Sequence, residues 1–242
     1  MNPSSLNEQP HHILFDSDNL SEIVPQWFNC GYWQDRAEVK AVSAGRGRAW
    51  FIDSDKQSMV LRHYQRGGWM ANLLGDKYLW SGLNKTRAWR EWHLLCSLWQ
   101  QGLPVPQPLA AHVEQKGLFY CADLLTCTIP QSQPLSGWLN EQTLSSSLWQ
   151  SIGALICRFH NANIYHADLN AHNILITEQH AFYLIDFDRG RSMPASSNQA
   201  PWKKSNLKRL RRSLMKLRNQ NQKFNFNEDN WVQLIKGYST KK

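Results

Sequence analysis

The chain is poor in the features that mark a secreted, stapled or membrane-spanning protein. Its five cysteines, Cys30, Cys96, Cys121, Cys127 and Cys157, are odd in number, and none stand as Cys-x-x-Cys. This argues against a disulfide framework or a zinc knuckle and fits reduced thiols in a cytosolic setting. No stretch approaches the roughly 18 apolar residues of a spanning helix. Residues 1–10 are polar and lack the apolar core of a secretory signal. The expectation is a protein that is soluble or rests on a membrane surface. Acidic residues are scarce, 19 against 27 Lys and Arg, which leaves a net charge of +8. Such a balance favours anionic partners: nucleotide phosphates, nucleic acid or an anionic membrane. No internal repeat and no low-complexity segment is visible.

Hydrophobic residues make up 42% of the 242, enough for one large domain or two packed lobes, and twelve are tryptophan. Residues 1–38 read as a polar start followed by irregular or short helical structure. Strands are expected at 40–43, 49–52 and 59–64, with Gly45-Arg46-Gly47-Arg48 at the first hairpin tip. Trp89, Trp92, Leu95, Cys96 and Trp99 recur at helical spacing and predict a helix over 83–101, stopped by Gly102 and Pro104. Strands at 109–113 and 118–123 follow. After the proline-containing stretch 130–134 the pattern becomes helical, with Leu148, Ile152, Leu155, Ile156 and Phe159 on one face of 144–162. Two short strands, 173–177 and 182–185, come next. The order gives an α+β chain, with a β-rich lobe at 1–126 carrying one main helix and a more helical lobe at 127–242.

The most informative stretch is His166-Ala167-Asp168-Leu169-Asn170-Ala171-His172-Asn173, followed by Ile185-Asp186-Phe187-Asp188. The first supplies a carboxylate that can accept a hydroxyl proton and an amide oxygen that can ligate a metal; the second supplies another carboxylate for a metal. These are the working parts of a protein-kinase-type phosphotransferase. Phosphoryl transfer asks mainly for in-line positioning and cations on the phosphates, so a few residues at fixed spacing carry the signal.

Over about residues 40–190 these motifs resemble the two-lobed protein-kinase-like fold, and the resemblance implies a role for each position. Asp168 matches the catalytic-loop aspartate, while Asn173 and Asp186 match the magnesium-binding pair. His166 matches an architectural histidine that hydrogen-bonds the backbone near the metal aspartate. Gly45, Arg46 and Gly47 match the loop that cradles the nucleotide, although Trp50 stands where a third glycine is expected. Arg62, in Val60-Leu61-Arg62, takes the place of the phosphate-binding lysine, with Glu91 as its ion-pair partner. Arg62 and Glu91 also fit an ordinary surface pair, and Arg46 and Arg48 a solvated hairpin tip. Asn170 replaces the lysine common in kinases of protein substrates, Asp188 replaces the glycine that ends the metal motif, and no Ala-Pro-Glu follows. A protein acceptor is therefore not expected.

Residues 203–218 hold eight Lys and Arg and no acid, with Leu207, Leu210, Leu214 and Leu217 at helical spacing. This is a basic amphipathic helix, suited to anionic lipid or to packing by its leucines with its charges in water. Trp69, Tyr78 and Trp80, in the aromatic segment 66–82, allow the same two readings.

Arg66-Gly67-Gly68, Leu74-Gly75-Asp76-Lys77-Tyr78, Thr86-Arg87-Ala88-Trp89-Arg90-Glu91 and the two motifs above together resemble the bacterial 3-deoxy-D-manno-octulosonic acid (Kdo) kinases, over most of the chain and including the basic tail. The resemblance implies ATP and Mg2+ as cofactors and a Kdo-bearing lipid A precursor as acceptor. It implies peripheral action at the cytoplasmic face of the bacterial inner membrane, with no nucleic-acid partner. Two alternatives stand beside it: another sugar or small-molecule kinase, of heptose or aminoglycoside type, and a catalytically silent scaffold that binds lipid.

Overall fold

The computed structural model describes all 242 residues except 37, 44–48, 56, 67–74, 195–199 and 241–242, and gives backbone alone for 40–43. The chain is α+β and divides into two compact units. One comprises Met1–Gln101 with Pro106–Thr128, the other Gly102–Val105 with Ile129–Lys242.

The first unit is built on one antiparallel sheet. Strands β1 (Pro3–Glu8) and β2 (His11–Asp16) precede a short helix α1 (Cys30–Gln34). There follow β3 (Val39–Ser43), β4 (Ala49–Asp53), β5 (Ser58–His63), β6 (Tyr78–Leu79), helix α2 (Arg87–Gln100), β7 (Pro108–Lys116) and β8 (Phe119–Cys127). The spatial order is β1-β2-β7-β8-β5-β4-β3, with β6 also pairing β8. The expected short helical structure within 1–38 is present at Pro25–Phe28 and Cys30–Gln34, but the polar start is corrected: Pro3–Glu8 and His11–Asp16 form a hairpin whose second strand pairs β7, Ile13 opposite His112. β1 is an edge strand with exposed and half-buried side chains, so it carries almost none of the apolar alternation by which strands are recognised.

Strand alternation divides the side chains between two faces. Met59 and Leu61 of β5 point to one, where they join Ile13, Ile52, Leu125, Phe28, Trp33 and Trp50 in an apolar cluster. Trp50 is therefore a core residue, fixed opposite Leu61. At one end of this face a polar row crosses the strands. His63 is bonded to Asp76 (2.9 Å) and Asp123 (2.6 Å), Asp123 to His112 (2.9 Å), and His112 to His11 (3.0 Å). Burial acts to lower the His63 pKa, but the two carboxylates outweigh it and the imidazole is raised. α2 buries Trp89, Trp92, Leu95 and Leu98 and packs against β7 and β8. It begins at Arg87, because 83–85 close a separate 3-10 turn.

In the second unit β9 (Ser132–Pro134) leads into helices α3 (Leu135–Glu141) and α4 (Ser146–Asn161). Then come β10 (Ile164–Tyr165), β11 (Ile174–Thr177), β12 (Phe182–Leu184), β13 (Arg191–Ser192), α5 (Pro201–Gln220) and α6 (Glu228–Ser239). β11 lies between β9 and β12, and β10 pairs β13. α5 is the basic helix. Leu210 and Leu214 are fully buried and Leu207 and Leu217 half-buried, while Lys204, Lys208, Arg211, Arg212 and Lys216 are exposed. Two cations depart from a purely solvated charged face: Lys203 is buried, and Arg209 is turned onto the loop that follows β10.

α4 and α6 touch backbone to backbone. A Cβ at Gly153 would stand 2.0 Å from the Leu234 carbonyl oxygen, and one at Gly237 would stand 2.0 Å from that of Gln150. The two glycines cost helix propensity, about 1 kcal/mol each, and are retained because nothing larger fits. Gly153→Ala is expected to destabilise the protein by about 3 kcal/mol through forced separation of the helices, read as a lower urea midpoint.

Candidate active site

The loop 166–173 runs from β10 to β11, and its internal shape is set by bonds among its own residues. Asn170 is its hub: Oδ1 accepts from the backbone N–H of His172 (2.8 Å) and Asn173 (3.2 Å), and Nδ2 donates to the Asp168 carbonyl (3.1 Å). Asn173 also gives its Nδ2 hydrogen to the Asp168 carbonyl (2.9 Å), which directs its amide oxygen elsewhere. Leu169 and Ala171 are buried and anchor the loop between these polar contacts. The Asp168 side chain is exposed, and Asn173 is buried.

His166 joins this loop to the second motif. Its Nε2 hydrogen is donated to the Ile185 carbonyl (2.9 Å) and its Nδ1 accepts the Asp168 N–H (3.2 Å). Burial pushes the imidazole pKa down, so the ring is neutral and carries its proton on Nε2. Its ring centroid lies 4.7 Å from that of Phe187, which is fully buried and stacked on Phe159. The backbone is further tied where Ile185 N–H donates to the Asn173 carbonyl (3.1 Å). Between these two fixed residues Asp186 adopts φ +63°, a left-handed conformation unusual for aspartate, which turns the chain sharply after β12.

Asp168, Asn173 and Asp186 therefore sit on two segments bonded directly to each other. The donor set suits a hard cation. It offers carboxylate and amide oxygens, and among the described residues no cluster of three or more His, Cys, Asp or Glu forms a preformed cage. Magnesium is commonly held in this way, by one or two side chains with substrate phosphates and water filling the remaining positions.

In the first unit Arg62 and Glu91 form an ion pair. Glu91 is 3% exposed, so this is not the surface pair that the sequence also allows. Tyr64, which sequence reasoning passed over, donates its hydroxyl to Glu91 (2.6 Å) and accepts from Arg62 Nη2 (3.1 Å). Burial and the Glu91 charge raise the Tyr64 pKa well above its ordinary value and keep the phenol protonated as a donor. Its signal was available: Tyr64 lies two residues after Arg62 and so on the same strand face. Gly45, Arg46 and Gly47 lie outside the described residues; the strands that flank them pair antiparallel, Ser43 opposite Ala49.

The other residues missed by the sequence reading come from α5. Asn206, Arg209 and Ser213 all bond the backbone of the loop 166–173, at His166, Ala167 and Ala171 respectively. Their signal was polar residues standing on the leucine face of an amphipathic helix, at i, i+3 and i+7.

The lipopolysaccharide kinase (Kdo/WaaP) family model matches residues 31–238. A 3-deoxy-D-manno-octulosonic acid kinase from Mannheimia succiniciproducens is 40% identical over 240 residues, covering 96% of this chain and 98% of its own. Proteins of the same name from Vibrio parahaemolyticus and Vibrio cholerae are 41% and 39% identical, the first over 84% of each chain and the second over 88% of each.

Behind the loop, His160 is bonded to Asn206 and Tyr238. Burial lowers its pKa to about 4. Between about pH 6.5 and that value the unfolded chain binds more protons than the folded one. Stability is therefore complete above the unfolded pKa and falls as pH drops through this window, by on the order of 3 kcal/mol. Urea melts at pH 7 and pH 4.5 are expected to show a smaller difference for His160→Gln than for the wild type.

Proposed function

This chain belongs to the lipopolysaccharide kinase (Kdo/WaaP) family, and we propose that it transfers the γ-phosphoryl group of ATP to the 4-hydroxyl of the Kdo residue of a lipid A precursor, in assembly of the lipopolysaccharide inner core. The observation that carries this reading is the bonded pair of segments bearing Asp168, Asn173 and Asp186, in a chain whose relatives are named Kdo kinases.

In this reading the Asp168 carboxylate takes the proton of the acceptor hydroxyl as its oxygen bonds to the γ-phosphorus and the bond to the bridging oxygen of ADP breaks. The exposure of Asp168 suits a group that must meet a sugar at the end of a lipid. Asn173 and Asp186 would hold magnesium, which supplies charge neutralisation on the phosphates. The two units serve as a nucleotide-cradling lobe and a catalytic lobe. Arg62, its fork fixed by Glu91 and Tyr64, addresses the α- and β-phosphates, together with the backbone of Gly45 and Gly47 and the charge of Arg46.

Among the described residues no helix is long and apolar enough to cross a membrane. The exposed cations of α5 offer an anionic bilayer a charged face while its leucines stay in the core. This supports a peripheral enzyme at the cytoplasmic face of the inner membrane, where its acceptor is made. The short connection from Asp186 to the start of α5 at Pro201 leaves little chain for a peptide-binding segment. A sugar acceptor fits that economy, and neither a protein substrate nor a nucleic-acid partner is proposed.

Mass spectrometry of Kdo-bearing lipid A precursor incubated with enzyme and ATP is expected to show one added phosphate. Asp168→Ala should reduce transfer at least about a thousandfold with an unchanged circular dichroism spectrum. Transfer to heptose or to an aminoglycoside but not to the Kdo lipid would overturn the choice of acceptor. Separately, Lys204→Glu, Lys208→Glu and Arg212→Glu combined are expected to weaken cosedimentation with phosphatidylglycerol vesicles at least about tenfold, an effect that added salt should mimic in the wild type.

A further inference from the structure

The catalytic loop is fixed from outside by a directional chain of hydrogen bonds that starts on the last helix. Asn206 of α5 is fully buried and grips both backbone groups of His166, accepting its N–H at Oδ1 (3.3 Å) and donating from Nδ2 to its carbonyl (2.9 Å). This double contact admits only one orientation of the amide. Oδ1 then also faces His160 Nε2 at 3.3 Å. An amide oxygen only accepts, so Nε2 must carry the hydrogen. In neutral His160 that leaves Nδ1 as an acceptor, and the Tyr238 hydroxyl at 2.8 Å must donate to it. Tyr238 of α6, His160 of α4 and Asn206 of α5 thus have one consistent proton arrangement, and it ends on the backbone two residues before Asp168. Arg209 and Ser213 add further grips on the same loop, at the Ala167 carbonyl and the Ala171 N–H.

We propose that Asn206 is a positioning residue for phosphoryl transfer, and that Tyr238 and His160 hold its amide in the orientation that sets the height of the loop bearing Asp168. This rests on the phosphotransferase reading above. The loop's internal bonds, centred on Asn170, fix its shape; they do not fix where the loop stands relative to the helices. Asn206 supplies that reference. Because it reaches His166 through backbone atoms, its removal shifts Asp168 and the carbonyl of Ile185 together, through the ring that joins them. The effect belongs on turnover rather than on substrate affinity, since misplacement by a fraction of an ångström lowers rate while leaving binding groups in place.

The test compares Asn206→Asp, which keeps both acceptor contacts and loses the donor to the His166 carbonyl, with Tyr238→Phe, which removes only the far end of the chain. Both are assayed as full-length protein with Kdo-bearing lipid A precursor and ATP, below the melting temperature of each. We expect kcat to fall about tenfold for Asn206→Asp and about threefold for Tyr238→Phe, with both KM values within about twofold of wild type. Independently of any acceptor, hydrogen exchange at the Asp168 amide should quicken about tenfold in Asn206→Asp. Wild-type kcat in folded Asn206→Asp, or a raised KM at unchanged kcat, overturns the proposal. Should Asn206→Asp not fold, the kcat of Tyr238→Phe decides in the same terms. A wild type inactive on the Kdo lipid condemns the acceptor assignment instead, and the Asp168 exchange rate, unchanged or quickened, then decides the positioning role on its own.

Discussion

The neutral imidazole of His166 is the contact on which the candidate site depends. One of its nitrogens accepts the N–H of Asp168 and the other donates to the carbonyl of Ile185. A protonated ring could not accept the Asp168 N–H, and the opposite tautomer would set a lone pair against the Ile185 carbonyl. Burial removes the first possibility by disfavouring the charged form, and the carbonyl removes the second. A buried, uncharged ring thereby fixes the separation of two segments that are distant in sequence. The candidate side chains need not be packed themselves: Asp168 is exposed and Asp186 half-buried, and each inherits its position from the backbone beneath it.

That arrangement explains why the second unit invests its buried polar residues behind the loop. Asn206 and His160 are buried, where an unpaired polar group is costly, and every side-chain nitrogen and oxygen of the two has a hydrogen-bond partner. The close crossing of α4 and α6 brings Tyr238 within reach of His160, so glycine at 153 and 237 serves the site as well as the packing. In the first unit the same economy appears at Glu91, a buried carboxylate made tolerable by Arg62 and Tyr64 together.

The sequence disclosed what is local. Asp168, Asn173 and Asp186 belong to short motifs whose chemistry demands fixed residue types at fixed spacing, and the strands and helices around them follow ordinary periodicity. Helices α2, α4 and α5 were legible for that reason, their ends shifted by one to four residues. What stayed hidden depends on distant partners. β1 reads as polar because it is an edge strand, and α6 carries Gly237, which in isolation signals a break in a helix. Asn206 contacts a loop forty residues earlier; its place on the leucine face of α5 signals burial but does not name that partner. Lys203 and Arg209 look like parts of a uniform basic face until the fold turns them inward.

In the proposed mechanism the segments at 168–173 and 185–187 together hold the metal of a metal–nucleotide complex. Paramagnetic broadening reads this out, with Mn2+ replacing magnesium in the presence of a non-hydrolysable ATP analogue. The amide resonances of Asp168, Asn173 and Asp186 are expected to vanish on addition of the Mn2+–nucleotide complex and to persist in Asp186→Asn. Broadening centred elsewhere in the chain, with these three resonances intact in the wild type, would rule out this metal site.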